Sequence, residues 1–342
     1  MNRPAFEVNL KTHLFILGAV LGIGLWLLAG RSVAAPQEQS GTPDTTLKVS
    51  TNVVNVYAVV RDKHGRLIPD LSQQDFALVE DNVPQQIRYF ARETDTPLTI
   101  GLLIDTSVSQ GAVLPIEQQE AKSFLREVMR PKDLAFILHF DIEVELLRDL
   151  TANQKLLGSA IDEVVINGGG RGPMPGTNPG PGIGGTHLFD AVYLAANDLL
   201  KNEIGRKVLI LLTDGEDQGS RMTLNAALEA AQKTDLIIYS VDIVDREFYF
   251  GRGRGTGLGF SGDSILRKLS EESGGRVIRV SNKPGETAMA FEELARELRT
   301  QYSLGYSPTN QKRDGSFRKI RVQLQSGDYK VQSRRGYYAP TT

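Results

Sequence analysis

At 342 residues the chain is long enough for two domains of ordinary size. Its 23% charged and 40% hydrophobic residues are the proportions of a globular protein, and a formal net charge of −2 gives no electrostatic basis for binding nucleic acid. With no cysteine at all, disulfides, thiolate zinc sites and a cysteine nucleophile are excluded.

Arg3 and Lys11 precede an apolar run over 14–30, and Ser32-Val33-Ala34 then offers small residues for cleavage, so residues 1–34 read as an export signal. The run is longer than a signal core of about 7–15 residues and near the minimum of about 17 for a spanning helix. It is therefore either cleaved, giving a periplasmic or secreted protein, or kept as a membrane anchor. Residues 35–46, rich in Pro, Gln, Ser, Gly and Thr, form a linker. From 47 to 95 the pattern is β: an alternating, β-branched stretch LKVSTNVVNVYAVV, a turn at Asp62-Lys63-His64-Gly65, a strand Asp75 to Glu80, a turn at Asp81-Asn82, and a strand Gln85 to Phe90.

The character changes at Thr96-Pro97. Strands are expected over 98–104, 134–140, 143–147, 207–213, 236–241 and 276–280, with helices over 115–129, 186–200, 223–233, 263–273 and 284–300. Such alternation predicts a Rossmann-like, doubly wound, mostly parallel α/β sheet over 96–300, with ligands bound at the carboxyl ends of its strands. From 301 to 342 the pattern returns to β, with strands over 302–306, 317–324 and 329–333. These are too few to bury a face alone. The economical arrangement pairs them with the strands of 47–90, so that the α/β unit is inserted in a small discontinuous antiparallel β domain.

Asp105-Thr106-Ser107-Val108-Ser109 closes the first buried strand and places one carboxylate and two hydroxyls at alternate positions. Oxygen donors of this kind suit a small hard cation, although an Asx or Ser turn would use the same residues. Two further stretches fit the cation: Gly184-Gly185-Thr186 before an amphipathic run, and VLILLTDG, a second buried strand ending at Asp214 and Gly215. Together the three stretches resemble the von Willebrand factor type A (VWA) domain with its metal-ion-dependent adhesion site. The flanking VRDKHGRLIPDLSQQDF, EDNVPQQI, YSLGYSP and RRGYY resemble VWA-related exported proteins first catalogued in Acidobacteria.

The resemblance implies that Asp105, Ser107, Ser109, Thr186 and Asp214 hold Mg²⁺, or Mn²⁺ or Ca²⁺ in its place. It also implies that an acidic side chain of a partner protein completes the coordination, and that ligation can be transmitted to the last helix, 284–300. The expected function is an exported, metal-dependent protein-binding module of adhesion type. The alternative is a scaffold of the cell envelope whose VWA metal site is not used for capture. An enzyme is not expected: no G-x-S-x-G elbow surrounds Ser107, and His13, His64, His139 and His187 show no paired catalytic signature.

The remaining features are read more plainly. The Gly/Pro stretch 168–185 is a rim or a spacer beside Thr186, and the Gly/Arg stretch 250–262 is a cover near the metal face with no register fitting a dinucleotide cradle. Asp141 and Glu143 lie near the loops in sequence; Glu216 and Asp217 read as a solvated acidic loop, and His187 as an ordinary residue of a first helical turn.

Overall fold

The computed structural model describes residues 53–92, 96–166, 185–244, 259–281 and 285–341, without the side chains of 244 and 259–261. The export segment, the linker and the stretches 168–184 and 250–258 lie outside the described residues.

The chain begins with β1 (Val54–Asp62), β2 (Phe76–Glu80), β3 (Val83–Gln85) and β4 (Ile87–Arg92), and ends with β11 (Tyr302–Tyr306), β12 (Phe317–Leu324), β13 (Tyr329–Ser333) and β14 (Gly336–Tyr338). Neither set makes a sheet alone. One four-stranded sheet has the order β13-β1-β11-β4 and the other β14-β12-β2-β3, with antiparallel pairing throughout. Alternate residues of both sheets meet in one core that includes Val56, Val60, Leu78, Leu304 and Val322. Phe76 and Phe90 close its end against Tyr302, whose hydroxyl donates to Ile68 O at 2.6 Å and accepts from Leu71 N at 3.0 Å. The discontinuous β domain expected from the sequence is therefore present.

Between the two sets lies a six-stranded sheet built of β5 (Leu98–Asp105), β6 (Leu134–Phe140), β7 (Val144–Thr151), β8 (Arg206–Leu212), β9 (Leu236–Val244) and β10 (Val277–Ser281). Its order is β10-β9-β8-β5-β6-β7, parallel except for the edge strand β7. Every residue of β5 and β8 is buried, because helices cover both faces. Leu98, Ile100, Leu102 and Ile104 face α1 (Leu114–Val128), α2 (Gln154–Glu163) and α6 (Glu286–Leu298). Leu103, Leu209 and Leu211 face α3 (Leu188–Leu194), α4 (Leu224–Lys233) and α5 (Gly259–Ser273). Chain connections leave β5 and β8 toward opposite faces, so the switch point lies between their carboxyl ends.

Two helices differ from the sequence expectation, and the short strands β3 and β14 add to it. Helix α2 was not expected; Asn153 caps its start by accepting from Lys155 N at 3.0 Å, and Gln118 Nε2 caps its end by donating to Ile161 O at 2.7 Å and Val164 O at 2.9 Å. Helix α3 starts at Leu188 rather than at 186, and it widens into a π turn over 195–199 that keeps Ala195, Ala196 and Leu200 against the core.

One buried carboxylate gathers donors from both the inserted unit and the β domain. Glu297 in α6 is fully buried and accepts from Arg61 of β1, from Arg276 Nε at 2.8 Å, from the Tyr239 hydroxyl of β9 at 2.9 Å and from Gln332 Nε2 of β13 at 3.0 Å. Burial first, and then the charge of Glu297, pushes the Tyr239 phenol well up, so it stays a donor.

Close packing at the centre of β5 makes Gly101 obligatory: a Cβ there would enter the Phe136 ring and stand 2.6 Å from Leu209 Cδ1. Gly101→Ala is expected to lower stability by about 1–3 kcal/mol in urea unfolding. Gly158→Ala, on a helix where the nearest neighbour would be Lys122 Cδ at 3.9 Å, is expected to raise it by about 0.5–1 kcal/mol.

Candidate metal centre

The register that pairs Ile104 with Leu212 sets Asp105, the last residue of β5, beside Thr213 just past the end of β8. Asp105 is fully buried. Its Oδ1 accepts from Ser107 N at 2.8 Å and its Oδ2 from the Thr213 hydroxyl at 2.6 Å, so neither oxygen is left to chance orientation. Beyond it the chain turns through a short 3-10 segment over 108–110, which brings the hydroxyls of Ser107 and Ser109 to 3.0 Å from each other. Asp214 follows Thr213, half-buried, with its Oδ1 accepting from Glu216 N at 3.2 Å.

The Asp105 carboxyl senses its neighbour. Burial, then the charge of Asp214, pushes the Asp105 carboxyl up to about 7. Asp242 on the neighbouring strand β9 rises to about 6 for the same reasons in the same order, with Arg279 at 3.5 Å acting against the rise.

Thr186, the fifth expected residue, is buried, but its backbone bonds run to the Asp214 loop rather than to Asp105: Thr186 N donates to Gln218 O at 3.0 Å and Gln218 N to Thr186 O at 2.9 Å. The structure thus joins Asp105, Ser107 and Ser109 directly, couples Asp214 to Asp105 by charge, and attaches Thr186 through Gln218.

A second set of bonds laces the three loops together, and these residues were not singled out as a network from sequence. The Thr106 hydroxyl donates to Asp141 Oδ2 at 2.9 Å, and Asp141 O accepts from His187 N at 2.6 Å. Asp141 is therefore a buried tie between the first loop and the threonine loop. Asp217, expected to be solvated, instead accepts from Phe189 N at 3.1 Å and from the Ser220 hydroxyl at 2.6 Å, so it holds the start of α3. His187 is the residue before that helix, and its side chain makes no capping bond. Gly215 takes φ +83°, and a Cβ there would stand 2.5 Å from Leu266 Cγ and 2.6 Å from Gly262 O, so the Asp214 loop lies directly on α5.

The donor set fits a divalent cation. A fully buried Asp105 beside a half-buried Asp214 gains from a positive charge, and the neighbouring hydroxyls are neutral oxygen donors of the kind Mg²⁺ accepts. Among the described residues no three His, Asp or Glu side chains group at ligand spacing, so such an ion would be held by a mixed set of acids and hydroxyls.

The Asp105 proton gives a test with a definite sign. Folded Asp105 holds its proton up to about 7, whereas the unfolded chain releases it near 3.8. The contribution to stability is complete below the unfolded value and is lost as pH rises through the folded one. The chelator-treated chain is expected to be more stable at pH 5 than at pH 8, at no more than about 1.4 kcal/mol per pH unit per proton, with the slope reduced in Asp214→Asn. Urea midpoints measured across this range check it; a midpoint that rises with pH would contradict it.

No protein-family profile matches the chain, and neither does any curated protein. Solved structures do match. The proximal thread matrix protein 1 of the mussel byssus, with a zinc-occupied MIDAS motif, is 18% identical over 64% of this chain and 50% of its own, at a TM-score of 0.45. This chain therefore spans about half the length of that protein. The vWF domain of the type V pili tip protein Mfa5 from Porphyromonas gingivalis is 14% identical over 59% of this chain and 94% of its own, at a TM-score of 0.43. A von Willebrand factor type A protein from Catenulispora acidiphila is 13% identical over 79% of this chain and 74% of its own, at a TM-score of 0.45. The solved structures that this chain is similar to are von Willebrand factor type A domain proteins, the family its loop motifs resemble.

Proposed function

We propose that the chain is an exported, metal-dependent protein-binding module, and not an enzyme. The observation that carries this reading is the placement of Asp105 and Asp214 together at the carboxyl ends of β5 and β8, with the Ser107 and Ser109 hydroxyls beside them. Asp105, Ser107, Ser109, Thr186 and Asp214 would hold Mg²⁺, or Mn²⁺ or Ca²⁺. When bound, the cation supplies a Lewis-acidic position that an acidic side chain of a partner can occupy.

The protein's own residues support a surface for such a partner. Val108 stands between the two serines at 53% exposure, and Ile142, after Asp141, is 40% exposed. Apolar side chains bared beside a charged centre suit a protein partner, since the contact then has an apolar part and a charged anchor. The three loops that carry the centre are tied to one another through Asp141 and Gln218, which holds the donors in place before any partner arrives.

Export rests on the sequence of residues 1–34. Among the described residues no helix is long and apolar enough to cross a membrane, and the apolar run 14–30 lies outside them.

Calorimetric titration of the full chain with Mg²⁺ and Mn²⁺, comparing wild type with the Ser107→Ala/Asp214→Ala double variant, is the test. Binding by the wild type that is lost in the folded double variant is expected. Capture of the partner should likewise disappear on chelation and in Asp214→Ala. Metal binding together with capture that survives Asp214→Ala in a folded protein would favour the envelope scaffold; equal metal binding by both proteins, or by neither, would remove the site.

A further inference from the structure

The residues of α1 that turn toward the sheet are Leu114, Glu117, Ala121, Phe124, Leu125 and Val128. Their spacing is that of an apolar helical stripe, and one member is an acid. Glu117 is fully buried, and both its carboxylate oxygens lack a hydrogen-bond partner. An unmet acid at such a position destabilises a fold in a way that leucine would not.

Glu117 lies in the first turn of α1, the helix that follows the loop of Ser107 and Ser109, and burial, then the charges of Asp105, Asp214 and Asp242, push its carboxyl well up. The other acids of this group have partners within the protein. Asp105 accepts from Ser107 and Thr213, Asp214 from Glu216 N, and Asp242 pairs with Arg279. Among the described residues Glu117 has none, so the positive charge or donor that would satisfy it comes from outside them.

We propose that Glu117 is the inner acid of the cation site, a positioning residue that accepts a hydrogen bond from a water of the divalent ion held at Asp105 and Asp214. This rests on the metal-binding reading given above and adds a residue to it. A water intervenes because, among the described residues, no three acidic or histidine side chains group at ligand spacing. Carboxylates that hold the ligands of a metal in this way tune its affinity strongly, although they never touch it. The acid in the stripe is thus a cost to the metal-free fold that the loaded protein recovers.

The experiment uses the chelator-treated full chain, titrated calorimetrically with Mn²⁺ and melted with and without it, as wild type, Glu117→Gln, Glu117→Leu and Asp214→Ala. Both Glu117 variants are expected to bind Mn²⁺ about ten-fold or more weakly. Glu117→Leu is also expected to melt above the wild type without metal and to gain less from its addition. Wild-type affinity in the folded Glu117 variants overturns the proposal. So does a metal-free Glu117→Leu that melts below the wild type, since the acid would then serve packing alone. If Glu117→Gln does not fold, Glu117→Leu decides. A wild type that fails to bind Mn²⁺ overturns the metal site itself, which separates that failure from one confined to Glu117.

Discussion

Like charges brought together in a place that water reaches poorly are the constraint on which the rest of this structure turns. Asp105 is fully buried, and Asp214 follows the neighbouring strand. A fold gains nothing from such a pair in isolation, because burial and mutual repulsion both act against ionisation. What the chain invests around them is correspondingly large. Thr213 and Ser107 fix the Asp105 oxygens, Thr106 and Asp141 tie the first loop to the threonine loop, and Gln218 ties that loop to the third. The parallel sheet underneath, buried on both faces, supplies a floor that does not yield.

At the opposite side of the inserted unit the chain solves the same problem differently. Glu297 is as buried as Asp105, yet it is met by Arg61, Arg276, Tyr239 and Gln332. These donors come from β1, β9, β13 and the approach to β10, so one carboxylate fastens one sheet of the β domain and the α/β sheet to helix α6. Arg206 adds a second buried tie, donating to Leu298 O at 2.8 Å and Gln301 Oε1 at 2.9 Å beneath the Tyr57 ring. A buried acid with a complete set of donors is structural; a buried acid short of donors marks a place for a ligand.

Much of this was legible in the chain. Uninterrupted apolar runs at 98–104 and 207–213 mark strands buried on both faces, and their terminal acids mark the ligand end of the sheet. The return to alternation after residue 300 exposed the discontinuous β domain, because three short strands cannot bury a face. Helix α2 escaped because only Leu157, Ala160 and Ile161 of its ten residues are buried, and its caps come from Asn153 and the distant Gln118. Asp141, Asp217 and Glu117 escaped for a different reason. Their roles depend on which backbone or charge the fold brings near, and local pattern carries no record of that. Glu117 did leave a trace, an acid on an apolar stripe, which is a conflict between local rule and global place.

The pairing of β1 with β11 also decides when the β domain can form. Ala58 and Tyr302 face each other in register but lie 244 positions apart, and the strand that follows in order, β4, needs β11 as well. During synthesis β1 and β4 therefore wait without sheet partners, and the β2–β3 pair waits for β12, until the end of the chain arrives. The inserted α/β unit, whose strands pair only among themselves, can fold in that interval. By doing so it draws residues 96 and 300 together and shortens the loop that the two sheets must close. The inserted unit is in this sense the clasp of its own host, and slow or faulty closure leaves β1 and β2 as bare edges open to aggregation.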